Sequence, residues 1–326
     1  MKVAIIGSCG HSGVALDGIE KSGGRDILCA YSGTFDDNIE CLSARITDSR
    51  LGAVHYTDYC EMMDKEKPDI CVVDNVFYKH KDAAVAALLR GIPTYCEKPL
   101  ALDIDGLAQI EAAANKTGAL LWAMQTARYD SWFYTAYNLI KRGAIGRVLM
   151  LNAQKSYRLG SRKQYYRKRE TYGGTIPWVA IHSLDLIRFL SGSEPSSVYA
   201  FHSTSCNQGH GELESFGQIQ LKLENGITAS VNFDFLRPEG APTHGDDRVR
   251  VLGSEGVIEV RDSKVYLIDK NGEGEPALLN PPNIWDAFME AASGGQGLIT
   301  TSDSIASTKV ALIARESADR GCLLRI

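Results

Sequence analysis

A lysine set between glutamate and proline, Glu97-Lys98-Pro99, closes the apolar run Gly91-Ile92-Pro93-Thr94-Tyr95-Cys96. Proline after Lys98 biases the lysine toward extended backbone and stops further strand pairing, so its ammonium is held at a strand edge. Far upstream, Val3-Ala4-Ile5-Ile6 runs into Gly7-Ser8-Cys9-Gly10-His11-Ser12-Gly13, an apolar strand entering a glycine-rich turn and then a helix pattern. Glycine there lets the backbone approach a pyrophosphate, whose charge meets the N-terminus of the following helix. The spacing is GxxGxxG rather than the commoner GxGxxG. A fixed cation beside a dinucleotide cradle suits redox chemistry on an oxygen-bearing carbon. Lys98 would donate to the substrate oxygen and stabilise negative charge developing there during hydride transfer.

The type of dinucleotide depends on the end of the second strand, Ile27-Leu28-Cys29-Ala30-Tyr31-Ser32-Gly33-Thr34. A site selective for NAD usually places an acid there to accept from the adenosine ribose. Ser32 stands in that position with Thr34 close by, and neither repels a phosphate. Asp36 and Asp37 follow and no arginine is adjacent, so the expectation is NAD(P) with a tilt toward NADP. The residues expected to hold it are Gly7, Gly10, His11, Ser12, Gly13, Ser32, Asn75, His80, Glu97 and Lys98.

A second group of reactive side chains lies in Tyr172-Gly173-Gly174-Thr175-Ile176-Pro177-Trp178, continuing to Leu190. From Trp178 onward the segment has helix period, which puts Trp178, His182 and Asp185 on one face. A lone histidine in an apolar helix is more often a core residue than a catalyst, and spacing alone leaves both readings open. The basic and aromatic run 155–169 reads chiefly as a solvated face. Arg158, Arg162 and Tyr166 are its candidates for reaching an anionic or polyhydroxylated substrate. The loop Pro242 to Arg248 reads as a polar hairpin, with pocket lining or a cation held by His244 and Asp247 as the less favoured uses. No structural metal is expected.

These groups need a scaffold. Residues 1–122 alternate short apolar strands (2–7, 26–31, 53–56, 69–74, 93–97, 119–124) with helix patterns (13–22, 57–66, 79–90, 103–116), the signature of a doubly wound parallel sheet. A helix at 130–142 ends at Lys141-Arg142-Gly143. Thereafter strands alternate apolar with polar, at 148–151, 217–223 and 228–233, with Glu224-Asn225-Gly226 as a hairpin turn. More strand follows at 248–268, then a loop at 270–283 and helices at 284–293 and 303–319. The expectation is an α/β chain: a Rossmann domain over 1–122 and an α+β domain over 123–326, the latter with a large, mostly antiparallel sheet.

The chain of 326 residues has room for two cores, and a net charge of −5 offers no general attraction to nucleic acid or anionic membrane. No apolar run approaches the roughly 18 residues a spanning helix needs, and no cleavable signal is expected ahead of the first strand. Eight cysteines without CxxC pairing read as buried free thiols in a reducing cytoplasm.

In this order the pieces resemble the Gfo/Idh/MocA family of nucleotide-dependent sugar and polyol oxidoreductases, over nearly the whole chain. The carriers are His80 through Glu97-Lys98-Pro99-Leu100-Ala101, Met124-Gln125-Thr126-Ala127-Arg128-Tyr129, Gly173-Gly174 with His182 and Asp185, Gly253-Ser254-Glu255-Gly256-Val257-Ile258-Glu259, and the closing helix and tail. The resemblance implies Lys98 and His182 as catalytic residues, with His182 as general acid/base for an alcohol–carbonyl interconversion. It implies a substrate pocket drawn from Lys98, Arg128, Tyr166, Trp178, His182 and Asp185, and a homodimer or homotetramer. The family's aspartate four residues before the histidine is here Trp178. Either Asp185 orients the imidazole instead or His182 works without a carboxylate. Trp178 is either a flat wall for a ring's C–H face or core filling beneath the site. The arginines and this ring suggest a cyclic polyhydroxylated substrate, with room for an anionic group. The alternative is a nucleotide-retaining lyase or hydrolase, or a non-catalytic nucleotide-binding protein of the same fold.

Overall fold

The computed structural model describes residues 1–34, 37 and 39–326. The chain runs β1 (Lys2–Ile6), α1 (Ser12–Lys21), β2 (Ile27–Ser32), α2 (Ile39–Asp48), β3 (Val54–His55), α3 (Tyr59–Glu66), β4 (Ile70–Val73), α4 (His80–Leu88), β5 (Thr94–Cys96), α5 (Ile104–Thr117) and β6 (Leu121–Ala123). It continues through α6 (Ser131–Lys141), β7 (Val148–Tyr157), α7 (Arg169–Tyr172), α8 (Ile181–Ser191), β8 (Pro195–Ser203), β9 (Phe216–Leu223), β10 (Thr228–Asp234), β11 (Gly245–Gly253), β12 (Gly256–Arg261), β13 (Lys264–Asp269) and β14 (Gly272–Gly274). The last elements are α9 (Ile284–Ala292), α10 (Thr301–Arg320) and β15 (Leu324–Arg325). Two compact units form: Met1–Gln125 with Pro282–Thr308, and Thr126–Pro281 with Lys309–Ile326.

The first unit is built on a parallel sheet of order β3-β2-β1-β4-β5-β6. Its central strands are apolar on both faces, as a sheet covered by helices on both sides requires; β4 is buried at every position, whereas the edge strand β3 is exposed. Register aligns their C-terminal ends: Ile6 lies beside Ser32 and Val73, Val73 beside Cys96, and Cys96 beside Ala123. Strand order reverses between β1 and β4, which opens the crevice where such sheets bind ligands. The sequence pattern over 39–48 was not read as a helix, although Ile39, Leu42 and Ile46 share a face and the latter two are buried in α2.

Residues 282–308 also belong to this unit, not to the second as expected. The reason is aromatic packing: Trp285 and Phe288 of α9 meet Tyr95 of β5 at ring distances of 6.2 and 5.0 Å, and Phe288 meets Trp122 of β6 at 5.5 Å. The start of α10 completes the edge. Thr301 Oγ1 and Ser304 Oγ accept from the Leu121 and Ala123 N–H groups at 3.0 and 2.9 Å, so the edge strand β6 presents fewer unpaired donors.

The second unit carries a sheet of nine strands in the order β14-β13-β12-β11-β7-β10-β9-β8-β15. All its pairings are antiparallel except β7 with β10. Alternation is strict in β9, where Gly217, Ile219, Leu221 and Leu223 are buried and Phe216, Gln218, Gln220 and Lys222 exposed. Gly226, with φ of +83°, makes the turn to β10. β8 was not foreseen, and β7 runs six residues further than its apolar start suggested, to Tyr157. Lys155 therefore lies inside a strand. Of the eight free cysteines, only Cys71 and Cys96 are buried, and Cys41 and Cys206 are exposed.

Candidate active site

In the first unit the glycine turn closes by packing. Gly7 has φ of +79°, and a Cβ there would stand 2.3 Å from the Asn75 Cα. At Gly10 a Cβ would stand 2.3 Å from Glu97 Oε2 and 2.7 Å from Asp74 Oδ1. Gly13 is less constrained, since the nearest atom to its Cβ position is an Arg45 guanidinium nitrogen at 3.6 Å. The three glycines, equivalent by spacing, thus differ in what they are needed for.

Two acids reach the start of α1. Asp74 Oδ2 accepts from the Ser12 N–H at 2.8 Å. Glu97 Oε2 accepts from the His11 N–H at 2.9 Å and faces His11 Nδ1 at 2.5 Å, while its Oε1 takes the Lys98 N–H at 2.9 Å. Negative charge is favoured at a helix N-terminus. Burial raises the Asp74 carboxyl to about 7, with the Glu97 charge adding to the rise. Burial acts the same way on Glu97, but the His11 and Lys98 charges outweigh it and bring the carboxyl to about 2. The Glu97 charge in turn raises the His11 imidazole. Lys98 follows directly, almost out of solvent at 2 % exposure.

His80, one of the expected cofactor contacts, is engaged by the chain itself. His80 is fully buried, its Nδ1 facing the Pro99 carbonyl at 2.7 Å and Nε2 the Asn75 carbonyl at 2.8 Å, so it ties the loop after β4 to the Glu97-Lys98-Pro99 loop. Burial lowers its pKa. Asp36 lies outside the described residues. The Asp37 carboxylate turns back on the chain, accepting from the Thr34 N–H and hydroxyl at 2.5 and 2.9 Å and from the Val76 N–H at 2.8 Å.

Four buried polar side chains along this edge have atoms with no hydrogen-bond partner among the described residues: Ser32 Oγ, Asp74 Oδ1, Asn75 Oδ1 and both amide atoms of Gln125. Buried polar groups are ordinarily paired. These orphans, the cradle at Gly7 and Gly10, and the start of α1 fit a dinucleotide. Asp74 and Gln125 were not singled out from sequence. Their signal was position, Asp74 directly after β4 and Gln125 two residues after β6.

In the second unit, His182 is placed by an unusual start to its helix. Gly173 and Gly174 have φ of +79° and +105°, open to glycine at little cost. Thr175 then bonds Glu214, its N–H to Oε2 at 2.9 Å and its hydroxyl to the main-chain carbonyl at 2.6 Å. Residues Ile176–Ala180 form a π-helical turn, with the Ile181 N–H bonded to the Ile176 carbonyl, and α8 follows. The wide turn breaks the simple 3.6-residue face expected to join Trp178 to His182. His182 is buried at the first turn of α8.

Asp185 is held by Arg128 through two bonds, Nε to Oδ2 at 2.8 Å and an Nη to Oδ1 at 2.7 Å. Arg188 stands 3.6 Å from the same carboxylate and bonds Glu194 through two nitrogens at 2.6 Å. Arg128 and Asp185, both expected at the substrate pocket, pair with each other. Tyr166 is buried rather than part of a solvated face, stacked against Tyr165 and Tyr172 at 4.9 Å and edge-on to Trp178 at 6.3 Å. Trp178 is half-buried on that cluster. Arg162 lies over the Phe235 ring at 4.8 Å and Arg158 bonds the Ala241 carbonyl, so neither is a freely solvated charge.

The loop before β11 borders a cleft of about 470 Å³ that includes Trp132, Arg237, Thr243 and Asp247. His244 stacks on Tyr157 at 5.2 Å, and Asp247 pairs with the buried Lys155 at 2.5 Å. No group of three or more metal-ligating side chains occurs among the described residues.

Comparison with known proteins gives consistent matches. Residues 1–125 match the oxidoreductase family with an NAD-binding Rossmann fold, and residues 133–259 match the GFO/IDH/MocA C-terminal domain. A solved structure from Thermotoga maritima, described as a candidate oxidoreductase, is 39% identical with a TM-score of 0.95, covering 100% of both chains. A 1,5-anhydro-D-fructose reductase from Ensifer adhaerens is 25% identical over 86% of this chain and 90% of its own length. An inositol 2-dehydrogenase from Klebsiella pneumoniae is 25% identical over 78% of this chain and 73% of its own.

Proposed function

The chain belongs to the Gfo/Idh/MocA oxidoreductases, and on that premise we propose that it interconverts an alcohol and a carbonyl on a sugar, polyol or cyclitol. One observation carries the reading: an almost fully buried Lys98 at the C-terminal end of β5, beside the Glu97 carboxylate and the glycine turn. Gly7, Gly10, His11, Ser12, Gly13, Ser32, Asn75 and Gln125 would hold a dinucleotide, which supplies the hydride acceptor or donor when bound. Lys98 donates a hydrogen bond to the reacting oxygen and stabilises its developing charge. His182 takes the hydroxyl proton in the oxidative direction and returns it in the reverse. Trp178, half-buried on Tyr166, offers a face to a ring, and the inositol and anhydrofructose relatives favour a cyclic substrate.

Selectivity for NADP is the finer proposal. Ser32 is no acid, the Asp37 oxygens are occupied, and Arg45 approaches Gly13. A tighter Kd for NADPH than NADH supports it, and the reverse order rejects it. A cytoplasmic homodimer or homotetramer belongs to the same reading, supported by unpaired cysteines and by the exposed polar face of β9; light scattering tests the assembly.

Activity is tested by following reduced nicotinamide absorbance with NAD and NADP against neutral sugars, inositols, uronates and sugar phosphates. Turnover on a cyclic polyol or sugar supports the proposal. A panel that leaves the absorbance unchanged while bound cofactor is retained would favour the lyase or hydrolase reading, for which Trp178 in the carboxylate position speaks.

A further inference from the structure

Asp74 sits at the end of β4, on the side of the crevice facing the glycine turn, and is fully out of solvent. One oxygen, Oδ2, holds the Ser12 N–H at 2.8 Å. The other, Oδ1, is buried with no hydrogen-bond partner among the described residues. That oxygen and Glu97 Oε2 lie 2.7 and 2.3 Å from the single point where a Gly10 Cβ would stand. The two carboxylates therefore face each other across the turn. Like charges so placed disfavour joint ionisation, and a pyrophosphate arriving at the start of α1 adds more negative charge to the same spot.

We propose that Asp74 is a positioning residue for the cofactor turn that works in its neutral form: protonated on Oδ1, it holds Ser12 in place through Oδ2 without adding charge beside Glu97, and ionised it opposes dinucleotide binding. The proton stays on Asp74 and no bond to substrate is involved. This rests on the proposed cofactor site.

Burial and the Glu97 charge place the Asp74 transition at about 7, within the working range of a binding assay. The groups facing it are His11 and Ser12 from α1, Cys96 at the end of β5, and Glu97 beyond it, with the Lys98 charge acting on Glu97 and His11. Asp37 and Arg45 stand further round the turn. His11 must be separated from Asp74, because its imidazole, raised by Glu97, loses positive charge as pH rises and weakens anion binding in the same direction.

The experiment measures the Kd for NADH by fluorescence between about pH 5.5 and 9 for the full chain, Asp74→Asn, His11→Asn and the double variant. NADH is the probe because it lacks the 2′-phosphate, which itself titrates near about pH 6. The wild type should lose roughly tenfold in affinity through the neutral range, the scale of one added like charge near the site. Asp74→Asn should keep only the part of the step that His11 contributes, His11→Asn should keep the part that Asp74 contributes, and the double variant should hold the tight affinity throughout. Calorimetry of NADH binding to wild type and His11→Asn in two buffers of different ionisation enthalpy should show net proton uptake at about pH 8; this decides the matter should Asp74→Asn fail to fold. A step as large in Asp74→Asn as in the wild type, a step that persists in the double variant, a flat wild-type profile, or zero uptake in His11→Asn would overturn the proposal while leaving the cofactor reading intact. Absence of binding at every pH, to NADH and to NADPH alike, would remove the cofactor reading and this one with it.

Discussion

The Arg128 guanidinium spans both oxygens of Asp185, at 2.8 and 2.7 Å, with both side chains nearly out of solvent. The pair joins the helical turn at Thr126–Tyr129 to α8, and Arg128 also lies 4.8 Å over the Phe189 ring, which stacks on Tyr137 at 4.0 Å. The helix that bears His182 is thus pinned one turn beyond the histidine. Removing one partner takes the two-pronged bond from a charge that stays buried. Asp185→Asn or Arg128→Ala should cost roughly 3–5 kcal/mol, and replacing both by apolar residues of similar volume should recover much of it. Urea unfolding of the two singles and the double reads this directly; additive losses in the double would argue against the pair as the cause.

Lys98→Ala should lower kcat by roughly two to four orders of magnitude on any substrate found, the usual loss for a charge-stabilising or proton-transferring group. His182→Gln should lower kcat comparably and remove the limb of the pH–rate profile that reports the free imidazole. Near-normal turnover in either variant contradicts its assigned role.

Gly10→Ala and Gly13→Ala should part company. A methyl at Gly10 meets Glu97 and Asp74 below 3 Å, whereas at Gly13 it meets only a flexible Arg45 tip at 3.6 Å. Dinucleotide affinity should fall at least roughly tenfold for Gly10→Ala, with a lowered Tm, while Gly13→Ala should keep its Tm within a degree or two of wild type. Equal Tm losses would contradict the packing described.

Asp74 also makes stability depend on pH. Its folded pKa of about 7 lies above the ordinary 3.8, so between those values the folded state holds a proton that the unfolded chain releases. Stability from this group is therefore full below about 3.8, falls as pH rises toward 7, and is level above. Asp74→Asn should be less stabilised relative to wild type at acid pH and gain on it by up to a few kcal/mol by pH 8. Parallel Tm curves for the two proteins across that window would contradict the raised pKa.

Much of this was legible in the residues. Short apolar strands spaced by helix-period segments can cover both faces of a sheet only in a parallel, doubly wound arrangement, and the alternation in β9 admits one buried face only. The glycine turn, the lysine after β5 and the histidine after Gly173-Gly174 announced themselves because each is an odd residue type at an element's end, where local chemistry and local backbone geometry coincide. Pairing partners were not legible, because they depend on register and packing between segments far apart in sequence. Only the aligned strand ends bring Asp74 and Glu97 together over Gly10, and only the aromatic contacts to Tyr95 and Trp122 draw α9 into the first unit. Tyr166, a charge-run residue by sequence, is buried because three other rings close around it. Residue type and spacing determined which chemistry the chain can carry; tertiary contact decided which groups stay charged, since burial and neighbouring charge set ionisation and neither is a property of a residue's own sequence position.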